Sequence, residues 1–148
     1  MDLRIPVRQL MTTEVITVKP NDTMLRVHEI FGAKDIHHLP VVDPKGVVVG
    51  MMSTSDYLSV ANAFPLFRPD KREEANKKLF STLLVEDVMT RQVATLSPDD
   101  ELVAAGSLFK ENLFHAVPIV DEEGLLLGIL TTYDLLEFFF NQPALLTQ

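Results

Sequence analysis

Two stretches of the chain decide the fold: LPVVDPKGVVVGMM, residues 39–52, and VPIVDEEGLLLGIL, residues 117–130. Each consists of two apolar runs joined by an Asp-x-x-Gly turn, which predicts a β-hairpin with the glycine at the position that needs a positive φ. Because the apolar runs are nearly continuous, we expect both faces of each hairpin to be buried. One copy is too small to bury them alone, so we expect the two copies to pack on each other.

The hairpins belong to a longer internal repeat. At an offset of 78 residues, positions 7–58 align without a gap to positions 85–136 and share 17 identities in 52 pairs. Chance alone gives about one match in twenty, and a fixed period over this length indicates a duplication. Many identities fall where backbone geometry is demanding. They include Met11/Met89, Pro20/Pro98, Pro40/Pro118, Gly46/Gly124, Gly50/Gly128 and Asp56/Asp134.

Each copy is predicted to fold as β-α-β-β-α. Residues 15–18 and 93–96 favour a short strand that ends before a proline. A helix follows, with apolar positions at spacings of three and four, then the hairpin, then a second helix from Ser53 or Thr131. The fold class is therefore α+β (α/β), with two such repeats packed together. We place the first repeat at 7–58, the connector at 59–84 and the second repeat at 85–140. Within the connector, the stretch DKREEANKKLFSTLL is predicted to form a helix.

Composition excludes several functional classes. The 148 residues contain no cysteine, which removes disulfides, thiolate metal sites and cysteine nucleophiles. The net charge of −8 disfavours nucleic acid and anionic lipid as partners. No apolar run is long enough for a signal peptide or a membrane span, so we expect a cytoplasmic protein. Residues 1–58, 59–84 and 85–148 carry net charges of −1, +2 and −9, so positive charge for an anionic ligand must come from the first repeat and the connector.

The chain resembles a tandem pair of cystathionine-β-synthase (CBS) domains. The resemblance runs from VRQLMTTEVITV to GMMSTSDYL and again from VEDVMTRQVATL to GILTTYDLL, nearly the whole chain. The hairpin D-x-x-G-x-x-x-G followed by S/T-x-x-D is its most specific part. The resemblance implies a flat module with pseudo-two-fold symmetry, two clefts between the copies and frequent assembly into disc-like dimers. It also implies adenosine ligands: AMP, ADP, ATP, and in some members S-adenosylmethionine or a dinucleotide.

The first candidate constellation is Ser53-x-x-Asp56 with Thr131-x-x-Asp134. The residues alone favour a capping box, in which the hydroxyl accepts the N3 amide proton and the acid folds back to the cap. The same place also suits a ligand, because a helix N-terminus attracts phosphate and a carboxylate can accept both hydrogens of a ribose diol. The resemblance favours this second interpretation, with the acid on ribose and the hydroxyl on phosphate. Both interpretations can hold in the free protein.

The remaining candidate ligand contacts come from the hairpin entry and the first strand. Adjacent histidines in an extended segment point to opposite faces and are poorly placed to share a metal ion, so we expect no metal site. A structural histidine at the sheet edge is the plain alternative. The resemblance instead implies basic groups facing phosphate, main-chain contacts to adenine and apolar contacts to its faces. These residues are His37, His38, Pro40, Val41, Ile16 and Thr17 in the first repeat, and His115, Pro118, Ala94 and Thr95 in the second.

The second repeat is expected to be the poorer nucleotide site. Ala116 stands where the first repeat has His38, and Ala94 where it has the larger Ile16. The aromatic run 138–140, with Leu135 and Leu136, is either core or a subunit contact, and a two-fold homodimer is the economical prediction. The connector helix carries four basic residues, which are interpreted as a solvated helix face. A contact to ligand phosphate is the alternative. These residues are Lys71, Arg72, Lys77 and Lys78.

The leading functional hypothesis is a regulatory module that binds an adenine nucleotide and signals its occupancy to an unknown partner protein. It requires no cofactor; the nucleotide is its ligand. A ligandless dimerisation or scaffold module is the alternative. An enzyme is disfavoured, because the sequence has no Gly-rich phosphate loop, no G-x-S-x-G, no H-E-x-x-H and no nucleophile paired with a base.

Overall fold

The computed structural model describes residues 2–62, 69–112 and 115–141. The side chains of Lys71 and Arg72 lie outside this description, whereas Lys77 and Lys78 are exposed. The first half contains α1 (Met24–Ala33), β1 (His38–Val42), β2 (Val48–Ser53), α2 (Thr54–Ala61) and α3 (Pro69–Thr82). The second half contains α4 (Val85–Val88), α5 (Leu102–Asn112), β3 (Ala116–Val120), β4 (Leu126–Thr131) and α6 (Thr132–Phe140). A short 3-10 turn at Val7–Gln9 precedes them.

Both predicted hairpins form. Strand β1 pairs antiparallel with β2, and β3 pairs with β4 in the equivalent register, each with an irregularity at the turn end. The two turn glycines adopt positive φ, 89° at Gly46 and 84° at Gly124, as the Asp-x-x-Gly pattern predicts. In the first turn the carboxylate of Asp43 accepts from the amides of Lys45 and Val47, each at 2.9 Å, which fixes the turn from within.

The predicted first strand of each copy is reduced to a single parallel bridge. Val18 bridges to Val41 on β1, and Leu96 bridges to Ile119 on β3. The amide of Val18 donates to Pro40 O at 3.1 Å, and the amide of Val42 donates to Val18 O at 3.0 Å. Proline follows two positions after each bridge and contributes no amide donor, so the ladder stops there. The helix predicted in the connector is present as α3.

The chain forms two compact units whose boundaries differ from those of the sequence repeats. One unit contains residues 16–93, and the other contains residues 1–15 and 94–148. We call them the continuous unit and the split unit. The segment 85–93, which opens the second repeat in sequence, thus belongs with the hairpin of the first repeat. The segment 7–15, which opens the first repeat, belongs with the hairpin of the second.

Each exchanged segment is held by backbone hydrogen bonds to its hairpin. In the continuous unit, Met51 and Thr90 exchange both amide–carbonyl bonds, each at 2.9 Å. In the split unit, Thr12 and Ile129 do the same at 2.8 and 2.9 Å. The amide of Val7 also donates to Asp100 O at 2.8 Å, and Arg8 pairs with Asp99. The Met51–Thr90 and Thr12–Ile129 bonds each form a single antiparallel bridge to the second strand of a hairpin.

The core of the continuous unit lies between its hairpin, α1, α3 and α4. Phe80 of α3 and Met24 of α1 have no exposed surface there, and Val85 of α4 joins them. A polar aromatic contact lies beside this core: His28 Nδ1 lies 2.6 Å from the hydroxyl of Tyr57, and the Tyr57 ring stacks on Phe80. The sequence patterns did not predict this contact.

The split unit has its own apolar core. Val7 from the 3-10 turn is fully buried in it, together with hairpin residues and one face of α5. Its buried members are Val7, Leu96, Ala105, Phe109, Val117, Ile119 and Leu130. Leu135 of α6 packs against it. The cluster at the end of α6 is therefore divided: Leu135 contributes to the core, whereas Leu136 and Phe140 are 55% and 72% exposed.

Candidate functional site

The candidate site of the continuous unit lies where β2 ends and α2 begins. Ser53 caps α2: its hydroxyl accepts the Asp56 amide proton at 3.1 Å, and its own amide donates to Asp56 Oδ2 at 3.0 Å. The Ser53 hydroxyl also lies 2.9 Å from Asp56 Oδ2. The capping interpretation of the motif is therefore confirmed, with Asp as the reciprocal acid in place of the more usual Glu or Gln.

The split unit repeats this geometry where β4 ends and α6 begins. The amide of Asp134 donates to the Thr131 hydroxyl at 3.1 Å, and the Thr131 amide donates to Asp134 Oδ2 at 2.9 Å. Both carboxylates are half-buried and close to helix N-termini, where the helix dipole places a partial positive charge. The two units thus present the same acid, in the same place, on the same kind of cap.

A threonine from a distant segment of the chain contacts each carboxylate, and the sequence analysis predicted neither contact. Thr90 Oγ1 lies 3.4 Å from each Asp56 oxygen, and Thr12 Oγ1 donates to Asp134 Oδ1 at 3.2 Å. Each threonine comes from the exchanged segment of its unit. The recurrence of Met-Thr at 11–12 and 89–90 was the available signal, but no local pattern pairs residues 34 or 122 positions apart.

The histidines lie at the open end of each hairpin, next to the caps. The carbonyl of His37 accepts from the Thr54 amide at 3.0 Å, and the carbonyl of His115 accepts from Thr132 in the same way. The His37 side chain is exposed and lies 3.6 Å from Asp35. The register places His38 directly opposite Ser53, whereas Ala116 is opposite Thr131. Directly opposed residues share a face of the sheet, so the side chains of His38 and Ser53 share one.

The remaining predicted contacts lie in less accessible positions. Pro40 and Pro118 are buried in their strands, and Val41 has no exposed surface because it belongs to the core of the continuous unit. Ile16 packs against that core, and Thr17 beside it is half-buried. In the split unit Ala94 is half-buried and Thr95 is exposed.

The arrangement suits a neutral polyol better than a metal ion. Each carboxylate has about four lone-pair directions, of which capping and threonine contacts occupy only some, so hydroxyl donors can still bind it. The nearby helix N-terminus and hydroxyls are donors, the type of group that binds phosphate. Within residues 2–62, 69–112 and 115–141, no three His, Asp or Glu side chains converge as metal ligands would. None of the described helices is long and apolar enough to cross a bilayer.

Comparison with known proteins gives consistent matches to one family over most of the chain. The CBS domain model matches residues 7–63 and 85–141. A CBS domain-containing protein of Dictyostelium discoideum is 30% identical over 139 residues, which cover 94% of each protein. The crystal structure of CBSX2, an Arabidopsis thaliana protein, in complex with AMP is 28% identical with a TM-score of 0.75, covering 91% of this chain and 96% of that chain.

An enzyme also matches, but only in part. Inosine-5′-monophosphate dehydrogenase of Methanocaldococcus jannaschii is 32% identical over 129 residues, which cover 87% of this chain and 22% of the enzyme. The chain therefore spans about a fifth of that enzyme's length. The match carries no information about catalysis by this chain. With two matches to one family model over most of its length, the chain belongs to the CBS domain family and carries two CBS domains in tandem.

Proposed function

We propose that this protein is a regulatory module that binds an adenine nucleotide and reports its occupancy to a partner protein. The observation that carries the proposal is the duplicated cluster of a cap hydroxyl, an aspartate and a threonine: Ser53, Asp56 and Thr90 in one unit, Thr131, Asp134 and Thr12 in the other. The AMP complex of CBSX2 supports the choice of ligand class.

The roles of the residues follow from their chemistry. Asp56 and Asp134 would accept the ribose hydroxyls, as acceptor-only groups with unused lone pairs. Ser53 or Thr131 and the second amide of α2 or α6, that of Ser55 or Tyr133, would donate to the phosphate or its linking oxygen. His37, His38 and His115 would add donors at the hairpin entry, and Ile16, Thr17, Ala94 and Thr95 would contact the base.

Isothermal titration with AMP, ADP and ATP tests the proposal. We expect saturable binding that Asp56→Ala weakens more than Asp134→Ala. Because alanine also removes part of a helix cap, which costs about 1 kcal/mol of stability, Asp56→Asn and Asp134→Asn are needed beside it. A wild-type protein that gives no heat and no thermal shift at millimolar nucleotide would contradict the proposal.

A ligandless scaffold is the second candidate function. The acidic character of the second half of the chain favours it, because anionic ligands are repelled there. This function predicts a melting temperature that no nucleotide changes, together with a dimer whose fraction rises with protein concentration. We propose a homodimer under either function, and no catalytic activity of the chain itself. Sustained ATP turnover that His37→Ala abolishes would overturn the last statement.

A further inference from the structure

The two candidate sites share their sugar-recognising part, so the difference between them must come from their surroundings. Each has a capped helix, a capping aspartate and a threonine from an exchanged segment, at closely similar distances. These groups would serve any ribose equally well. None of these groups carries a fixed positive charge. The affinity of each site for a ligand with a phosphate therefore depends on neighbouring residues.

The first difference is directly across the hairpin. His38 is the cross-strand neighbour of the cap residue Ser53, whereas the cap residue Thr131 faces Ala116. An imidazole on the same face as the cap supplies a donor, and a positive charge when it is protonated. Alanine supplies neither. The sequence alone aligned these residues, but only the register places each of them opposite a cap.

The second difference arises from the exchange of segments. Thr90 is followed by Arg91, so the segment that reaches Asp56 brings a guanidinium; Arg91 is exposed, and its Nη2 donates to Glu86 O at 2.8 Å. Thr12 is followed by Thr13, the counterpart of Arg91, and then by Glu14, the exposed counterpart of Gln92. Over the two positions after the threonine, the segment that reaches Asp134 therefore carries one negative charge, whereas the segment that reaches Asp56 carries one positive charge. Had each segment stayed with its own repeat, Glu14 would belong with Asp56 and Arg91 with Asp134.

The third difference is the charge of the whole unit. The continuous unit carries ten basic and ten acidic residues and is neutral, whereas the split unit carries three basic and eleven acidic residues, a net charge of −8. The entire net charge of the protein is therefore confined to one unit. Screening limits its reach to about 8 Å at physiological salt, so the acids closest in sequence to the site matter most: Glu14 and, one turn after Asp134, Glu137.

We propose that the two sites take different classes of adenosine compound. The site at Asp56 binds adenosine that carries a 5′-phosphate, and the site at Asp134 binds adenosine whose 5′ substituent is neutral or cationic, such as a thioether or a sulfonium. This inference rests on the proposed function and goes further, since it makes the module a sensor of two ligands. A phosphate monoester carries about −1.5 to −2 charges at neutral pH, which Glu14 and the acidic unit repel and His38 and Arg91 attract.

Titration of two single-site variants tests the assignment. The probes are AMP, adenosine, which is the same molecule without its phosphate, and S-adenosylmethionine, which is a sulfonium. Asp56→Asn should reduce AMP affinity at least about tenfold and leave S-adenosylmethionine binding within about twofold of wild type. Asp134→Asn should do the reverse. Adenosine, which has no charge to discriminate, should lose only one of its two sites in either variant.

A second experiment transfers AMP binding to the site at Asp134. It measures a gain of affinity, which a folding defect cannot produce. In the Asp56→Asn background, Ala116→His with Glu14→Gln should raise AMP affinity at the remaining site about tenfold. In the wild-type background, His38→Ala should lower AMP affinity by a similar factor. Lys45→Gln is the matched control: it removes one positive charge from the same unit at the turn end of the hairpin, away from the cap, and should leave AMP affinity unchanged.

The outcomes separate this inference from the proposed function. If wild-type protein binds none of the three probes, the proposed function fails and this inference fails with it. If AMP binds and both single-site variants lose it equally, or if Asp134→Asn alone loses it, the proposed function stands and the assignment is overturned. An AMP affinity that Ala116→His with Glu14→Gln does not raise would also overturn it.

Discussion

At the scale of single residues, the recurring glycines within the second strand of each hairpin, Gly50 and Gly128, have a steric explanation. A Cβ built on Gly50 would lie 2.5 Å from Met89 Sδ and 2.9 Å from the Thr90 carbonyl oxygen, and one on Gly128 would lie 2.8 Å from both Met11 Sδ and the Thr12 carbonyl oxygen. The methionine sulfur can move aside, but the carbonyl belongs to the backbone bridge. Glycine is therefore required so that the exchanged segment can reach the hairpin.

Gly50→Ala should destabilise the protein by about 1–3 kcal/mol, the range for a side chain forced into a closely packed place. The Met51–Thr90 bridge should loosen, so hydrogen exchange at these two amides should accelerate. Urea denaturation monitored by circular dichroism measures the stability change. Gly32→Ala is the control: apart from its chain neighbours and the backbone of its own helix, no atom lies within 4 Å of the added Cβ, and alanine should gain up to about 1 kcal/mol in α1. Equal stabilities for the two variants would contradict the steric explanation.

Tyr57 gives a residue-scale prediction about pH. Burial raises the pKa of its hydroxyl above the ordinary value, because the charged phenolate is poorly solvated there. The neutral form therefore stabilises the fold fully below about pH 10, where unfolded tyrosine ionises, and this contribution is lost as the pH rises through the folded pKa. Wild-type stability should fall more steeply than that of Tyr57→Phe between about pH 9 and pH 11.

At neutral pH the same substitution should cost about 1 kcal/mol, because the contact between Tyr57 and His28 is lost. Denaturant titrations at each pH provide both quantities. The exposed Tyr133→Phe serves as the control for tyrosine ionisation. Parallel pH profiles for wild type and Tyr57→Phe would show that the buried hydroxyl does not contribute.

At the scale of secondary-structure elements, α2 and α6 begin with the same cap but present different outer faces. On α6, Tyr133, Leu136 and Phe140 are more than half exposed and lie at spacings of three and four, so they form one apolar stripe. The corresponding positions are Ser55 and Leu58 of α2 and Asn62, which follows the helix. An exposed apolar stripe is typical of an association surface, which favours α6 over α2 as the contact of the proposed homodimer.

Leu136→Ser should therefore shift the proposed dimer towards monomer without lowering the free energy of unfolding of the monomer, because its side chain is largely exposed already. Light scattering across a range of protein concentrations measures the dimer fraction. Leu58→Ser is the matched control, since it is the repeat counterpart on α2 and is 49% exposed. A dimer that Leu58→Ser disrupts and Leu136→Ser does not would assign the contact to the other helix.

At the scale of the whole molecule, the exchange of segments decides which piece of chain is a folding unit. Residues 16–93 are continuous in sequence and contain the hairpin, its core and the segment 85–93 that covers it. The sequence repeat 7–58 lacks that segment and also lacks α3, whose Phe80 is fully buried in the core. The repeat is therefore a unit of duplication, whereas the compact unit is offset from it.

A fragment of residues 16–93 should fold alone with dispersed amide resonances and a cooperative thermal transition. A fragment of residues 7–58 should not, because removing Phe80, Val85 and Met89 exposes the hairpin core to water. Circular dichroism and two-dimensional NMR of the two fragments are the measurements. A cooperative transition in 7–58 alone would mean that the exchanged segment is dispensable for the core.

The sequence by itself determined the hairpins, their turn glycines, the order of the longer helices and the capping motif, because each depends on residues close together in the chain. It also carried the family resemblance, through motifs that recur at a fixed offset. Tertiary structure decided that the first strands shrink to single bridges, that Thr90 reaches Asp56 and Thr12 reaches Asp134, and that the net charge belongs to one unit. These features depend on pairing between residues far apart in sequence. Burial of Met89 or Val7 against a distant hairpin produces no periodic pattern in the neighbouring sequence, so local patterns do not predict it.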